Sequence, residues 1–173
     1  MQTQYLPNII SVFKQYKTLA EKAIQQLDEK ELFYLPDPES NSMAIIMRHL
    51  AGNMISRWTD FLTTDGEKPD RNRDLEFEQD DISQEELIIY WEKGWAVFFN
   101  TMESLTPDDL QKTIYIRKEA HTLMEAINRQ LAHYSYHIGQ MVFLAKHIKN
   151  TSWKNLSIPK GKSQDFNNEK MGK

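Results

Sequence analysis

Residues 122–149 read TLMEAINRQLAHYSYHIGQMVFLAKHIK, and the rest of the chain is best read outward from this run. Thr122 followed three residues later by Glu125 is a capping box, the signature of a helix start. The spacing predicts a helix from there to about Lys149, with Asn150 as its stop. With Ile127 set at zero and each residue stepped 100°, Leu131, Tyr134, Ile138 and Ala145 fall within about 40° of it and form a core stripe. His133 and His137 lie about 80–120° to one side, beside Ala126, Gln130 and Leu144. That is the flank of the core, where a second helix packs.

Three more helices are predicted on the same grounds. Ile9, Val12, Phe13, Tyr16, Ala20, Ala23, Ile24 and Leu27 recur at helical spacing and predict a helix from about Pro7 to Leu27. Pro36-Asp37-Pro38 blocks its continuation. The next helix starts at Asn41 or Ser42, either one a suitable N-cap, and runs to about Leu62. It is apolar nearly all round, which predicts deep burial. Ser83-Gln84-Glu85-Glu86 is another capping box and opens a helix to about Leu105, with Trp91 and Trp95 four residues apart. Between Thr63 and Ile82 lie about twenty polar residues without a periodic element, a length that crosses the domain, carries function, or both. Thr106-Pro107-Asp108-Asp109 marks a turn, and Thr113 to Arg117 alternates as in a small hairpin.

Composition narrows the classes of function. The 173 residues carry a net charge of -4, so there is no global basic field for a nucleic-acid backbone. Cysteine is absent, which removes disulfides, thiolate metal sites and a protein thiol nucleophile. No apolar run approaches a membrane span, and the N-terminal residues lack the pattern of a secretory signal. The expectation is a cytoplasmic protein with one domain over residues 1–165, a basic stretch from Thr151 onward and a flexible tail over 166–173.

Histidine is the informative residue. His133 and His137 are four apart on one helix, which sets both imidazoles on one face about 6 Å apart along the axis. His49, midway along the buried second helix, is the candidate third ligand. Three histidines without cysteine suit zinc, nickel or another first-row divalent ion, and they leave a position open for water. His121 and His147 lie about 18 and 15 Å of helical rise away from their counterparts on the last helix and are expected outside the site. The same spacing also fits ordinary histidines at the edge of a core. The glutamate of a zinc-peptidase HExxH motif is missing.

Several stretches carry a resemblance: IIMRHLAGN at residues 45–53, RWTDF at 57–61, DGEKP at 65–69, RNRD at 71–74, HYSYHIGQ at 133–140 and LSIPKGK at 156–162. Over about residues 5–165 the chain resembles the DinB/YfiT-like superfamily of metal-dependent proteins, in an uncharacterised bacterial subgroup. The resemblance implies an all-α four-helix bundle, up-down-down-up, with a long crossover between helices two and three and an extended C-terminal tail. It implies one nickel or zinc ion per chain on His49, His133 and His137, and a homodimer. Some members of the superfamily are transferases that use a low-molecular-weight thiol.

Two functions follow as expectations. One is a metal-dependent hydrolase or thiol S-transferase acting on a small molecule, with a thiol cosubstrate in the second case. Asn53, Arg129, Gln130 and Gln140 are candidates to support the ligands or line the mouth, and Arg71 and Arg73 to receive an anionic substrate. Asp60, Glu92 and Glu125 are general acid or base candidates by helical position alone. The alternative is a non-catalytic, metal-stabilised protein that binds a small molecule or serves as a structural dimer. Under either reading, no nucleic acid or membrane partner is expected.

Overall fold

The computed structural model describes residues 4–78 and 81–172. Its long helices are α1 (Tyr5–Ile24), α3 (Met43–Trp58), α4 (Gln84–Ser104) and α5 (Leu123–Lys149), with a one-turn helix α2 (Glu29–Leu32) and a short terminal helix α6 (Ser163–Lys170). One antiparallel hairpin, β1 (Thr113–Ile116) and β2 (Glu119–Thr122), interrupts the helical pattern, with Thr113 opposite Thr122 and Ile116 opposite Glu119. The protein is therefore mainly helical rather than purely so.

The helix starts follow their side-chain caps. The Ser42 hydroxyl accepts from the amide of Ile45, and reciprocal capping boxes join Ser83 to Glu86 and Thr122 to Glu125. α5 stops where Asn150 takes a left-handed φ of 45°. α3 ends four residues short of the expected Leu62. Asp60 turns left-handed, with φ 48°, and its carbonyl accepts the amides of Thr63 and Thr64, closing a tight turn. Phe61 still packs on Trp58, which explains why its apolar spacing reads as more helix.

α3 packs against α4 and α5, and α1 against α5 and α4. Only Arg48 and Ile55 of α3 escape full burial. α4 can approach α3 closely because residue 94 is glycine: a methyl there would sit 2.8 Å from the Cα of Ala51. The core between α1, α4 and α5 is aromatic. Phe13 meets Phe98 edge-on at 4.6 Å, and Trp95 meets Tyr134 at 5.7 Å. Trp91 and Trp95 are buried core residues.

The long connection between α3 and α4 is anchored. The Asp65 carboxylate accepts the amides of Arg117 and Lys118 at the hairpin turn, at 2.8 and 2.7 Å. The Gly66 amide donates to the carbonyl of Tyr115, and Arg48 donates to the carbonyls of Leu75 and Glu78. Within this connection Asp74–Phe77 forms a 3-10 turn against α3, an element without a periodic signal in the sequence. At the other end of the chain, Trp153 and Leu156 pack on the core, and α6 buries none of its residues.

Candidate metal centre

His49 comes from α3, and His133 and His137 come from successive turns of α5. One ring nitrogen from each lies within 4.8 Å of the other two. The Nε2 atoms of His49 and His133 are 3.2 Å apart. That is close to the edge of a tetrahedron built with metal–nitrogen bonds of about 2.0–2.1 Å. His49 and His137 are buried and His133 is half-buried. The other two histidines stand apart: His121 faces Glu119 on the hairpin, and His147 stacks on Phe143 far along α5.

Each imidazole has a partner for its second nitrogen, which aims the first one. Nδ1–H of His49 donates to Oε2 of Glu76 at 2.9 Å, leaving the Nε2 lone pair free to ligate. Glu76 is itself gripped by Arg71, whose Nε and terminal nitrogen donate to its two carboxylate oxygens at 2.7 and 2.8 Å. Nδ1–H of His137 donates to Oε1 of Gln140 at 2.9 Å. Nδ1 of His133 is 3.1 Å from the Gln130 carboxamide, which also contacts Asn53 at 2.8 Å. The Gln130 nitrogen faces both Nδ1 of His133 and Oδ1 of Asn53. Ligation through Nε2 puts the His133 proton on Nδ1, and so requires the Gln130 and Asn53 carboxamides to turn over together, with the Gln130 oxygen accepting from the ring.

The electrostatics keep His133 and His137 neutral. Burial, followed by the nearby rings of His137 and His49, pushes His133 down to about 3. Burial and then His49 push His137 down to about 4. Burial alone would push Glu76 up, but the hydrogen bonds from His49 and Arg71 outweigh it and hold the carboxyl below its ordinary range. Neutral imidazoles backed by a buried carboxylate form a donor set suited to a first-row divalent ion.

A cavity of about 370 Å³ opens on the histidines, with Phe77 and Tyr136 among its walls. The residues proposed from sequence to support the site or line its mouth all lie at it: Gln140 stands behind His137, and the others face the cavity. Asn53, Arg71, Arg73, Arg129 and Gln130 line the cavity. Arg71 is held by Glu76 and Glu67, while Arg73 lies over the Phe77 ring at 4.8 Å. The three carboxylates considered for acid–base work lie elsewhere. Asp60 forms the turn after α3, Glu92 pairs with Lys17 on the surface, and Glu125 caps α5.

Glu76, Arg57, Arg117 and Tyr136 were not anticipated. Glu76 left one trace in the sequence: Gly52, one turn beyond His49 on a buried helix. A methyl at that position would run into the Glu76 carboxylate, reaching its Cδ at 2.9 Å and the Tyr90 hydroxyl at 3.2 Å.

No curated protein matches the chain. The family model described as "Protein of unknown function (DUF1572)" matches residues 1–162, nearly the full length, and the chain therefore belongs to the DUF1572 family.

Proposed function

We propose that this DUF1572 protein is a metal-dependent enzyme of the DinB/YfiT-like kind, a hydrolase or low-molecular-weight-thiol S-transferase with one nickel or zinc ion per chain. The observation that carries this reading is the set of three imidazoles aimed at one point and open to a cavity. His49, His133 and His137 hold the ion, with Glu76, Gln130 and Gln140 fixing their rings. When bound, the ion lowers the pKa of water or of a thiol and so supplies a nucleophile near neutral pH. With no cysteine in the chain, a thiolate comes from the cosubstrate. The same proposal takes the four long helices as an up-down-down-up bundle, in which the connection from Thr59 to Ser83 crosses over. It also includes a homodimer in the cytoplasm. Among the described residues, no helix is long and apolar enough to cross a membrane.

A second reading, non-catalytic capture of a small molecule, is favoured by one observation: among the described residues, neither aspartate nor glutamate lines the cavity.

Elemental analysis of untagged protein tests the centre. About one nickel or zinc per chain is expected, lost in a His49→Ala/His133→Ala variant that still folds. Failure to take up either ion on reconstitution would sink the metalloenzyme reading and leave a helical binding or structural protein. Turnover of activated esters or of electrophiles with added thiols then separates enzyme from binding protein.

A further inference from the structure

The chain has six arginines, Arg48, Arg57, Arg71, Arg73, Arg117 and Arg129, and all but Arg48 line the cavity above the histidines. Among the described residues no lysine lines it, although lysines make up the rest of the 21 basic residues, and the chain as a whole is acidic. General basicity therefore does not explain the gathering. The five guanidiniums arrive from four separate places: Arg57 from α3, Arg71 and Arg73 from the long connection, Arg117 from the hairpin turn and Arg129 from α5. The hairpin turn is fastened to the connection through Asp65, which fixes the backbone that carries Arg117.

The available carboxylates do not neutralise this wall. Glu76 takes Arg71. Glu67 is shared among Arg71 at 3.3 Å, Arg117 at 3.2 Å and Arg57 at 3.8 Å. Arg57 is only 7% exposed, and its buried Nε has no hydrogen-bond partner. Among the described residues, Arg73 and Arg129 have no carboxylate within ion-pair distance, and Arg73 rests on the Phe77 ring instead. Three neutral imidazoles would also leave both charges of a divalent ion uncompensated. Planar guanidiniums, rather than lysine ammoniums, are the groups that meet carboxylate and phosphate oxygens two at a time.

We infer that the cavity is an anion-binding substrate site. It takes a small molecule bearing carboxylate or phosphate oxygens, held by Arg73 and Arg129 at the mouth and Arg57 in the wall, with the reacting end at the histidines. The volume of about 370 Å³ fits such a molecule. This deepens the proposed function and rests on its site. It also assigns the anion contact to Arg73, Arg129 and Arg57, since Arg71 is committed to Glu76.

The test is calorimetric titration of the full chain, with and without metal, using inorganic phosphate and succinate as probes. Metal content is measured separately on the same samples. The native protein is expected to bind one anion per chain even without metal, more tightly with it, and less tightly as salt rises. Arg73→Gln/Arg129→Gln changes two exposed residues, so the fold and metal content should hold while affinity falls about tenfold or more. A Lys22→Gln/Lys146→Gln variant, with the same loss of charge away from the cavity, should bind as the native protein does. Tighter phosphate would identify the ligand as a phosphoryl compound, and tighter succinate as a carboxylate. Anion binding by protein that takes no metal would uphold this inference while the metalloenzyme reading fails. Metal uptake with no saturable binding of either probe would overturn the inference alone, as would an equal loss in the lysine variant.

Discussion

Tyr134 and His133 are neighbours on α5, yet they belong to two different kinds of interior. The Tyr134 ring is buried among Phe13, Trp95 and Phe98, with ring centroids 5.6–5.8 Å away, and its hydroxyl reaches across to Asn53, at 3.4 Å. His133 points toward α3 into a chain of directed contacts, with Gln130 and Asn53 behind it and His49 in front. The aromatic side depends on volume and area, which many combinations of side chains can satisfy. At the histidine end each nitrogen has a particular partner, and loss of one strands the next. One helix thus stabilises the fold with one face and builds the site with the other.

The comparison breaks if the two faces cannot be perturbed separately. The largest effect is expected from Trp95→Ala, which empties a fully buried aromatic position and should cost about 3–5 kcal/mol in urea unfolding. The protein that remains folded should still bind metal in the native ratio; a parallel collapse of metal affinity would show the faces to be coupled. Glu76→Gln acts on the other face. It keeps the shape but removes the charge behind His49, and metal affinity of the folded protein should fall about 10–100-fold in chelator competition. The unfolding midpoint should fall too, because Arg71 is left buried without its counter-charge. Gly52→Ala should move affinity in the same direction by pushing the Glu76 carboxylate aside. Unchanged affinity in both variants would remove Glu76 from any account of the site.

The smallest effect is expected from pH and sharpens the comparison. His133 and His137 in the folded chain titrate at about 3 and about 4, against about 6.5 in the unfolded chain. Between those values the unfolded state binds more protons, so stability rises with pH and levels off above about 6.5. Apo protein should lose about 1 kcal/mol from pH 7 to 6, and more toward pH 5. A His133→Gln variant should show a shallower fall over that range, and identical slopes would contradict the burial of these rings. The aromatic face contributes nothing in this window.

Much of the frame was legible in the sequence because it rests on local chemistry. Ser42, Ser83 with Glu86 and Thr122 with Glu125 each cap a helix within three residues of themselves. The spacing of His133 and His137 is equally local, and burial of His49 followed from the apolar run around it. Glu76 was not legible, because it contacts His49 across 27 positions and sits in a turn with no periodicity. Arg71 read as a solvated or substrate-facing charge for the same reason: its partner is defined only once the connection has docked. The hairpin was visible as alternation over Thr113 to Arg117. Nothing local indicated that its turn would deliver Arg117 to a cavity.

The clasp made by Asp65 has a kinetic meaning. It joins positions 52 and 53 residues apart, closing the connection onto a hairpin that follows α4. Its amide donors sit in an exposed turn, and exposed segments held by few contacts open in the native state before buried helices do. Amides of Arg117 and Lys118 should therefore exchange with solvent far sooner than those of α3 and α5. Opening of that clasp would loosen the segments that carry Arg71, Arg73 and Arg117 while the helices that carry the histidines stay packed. A protein opened there would keep its histidines in place but lose part of the chamber that receives a substrate.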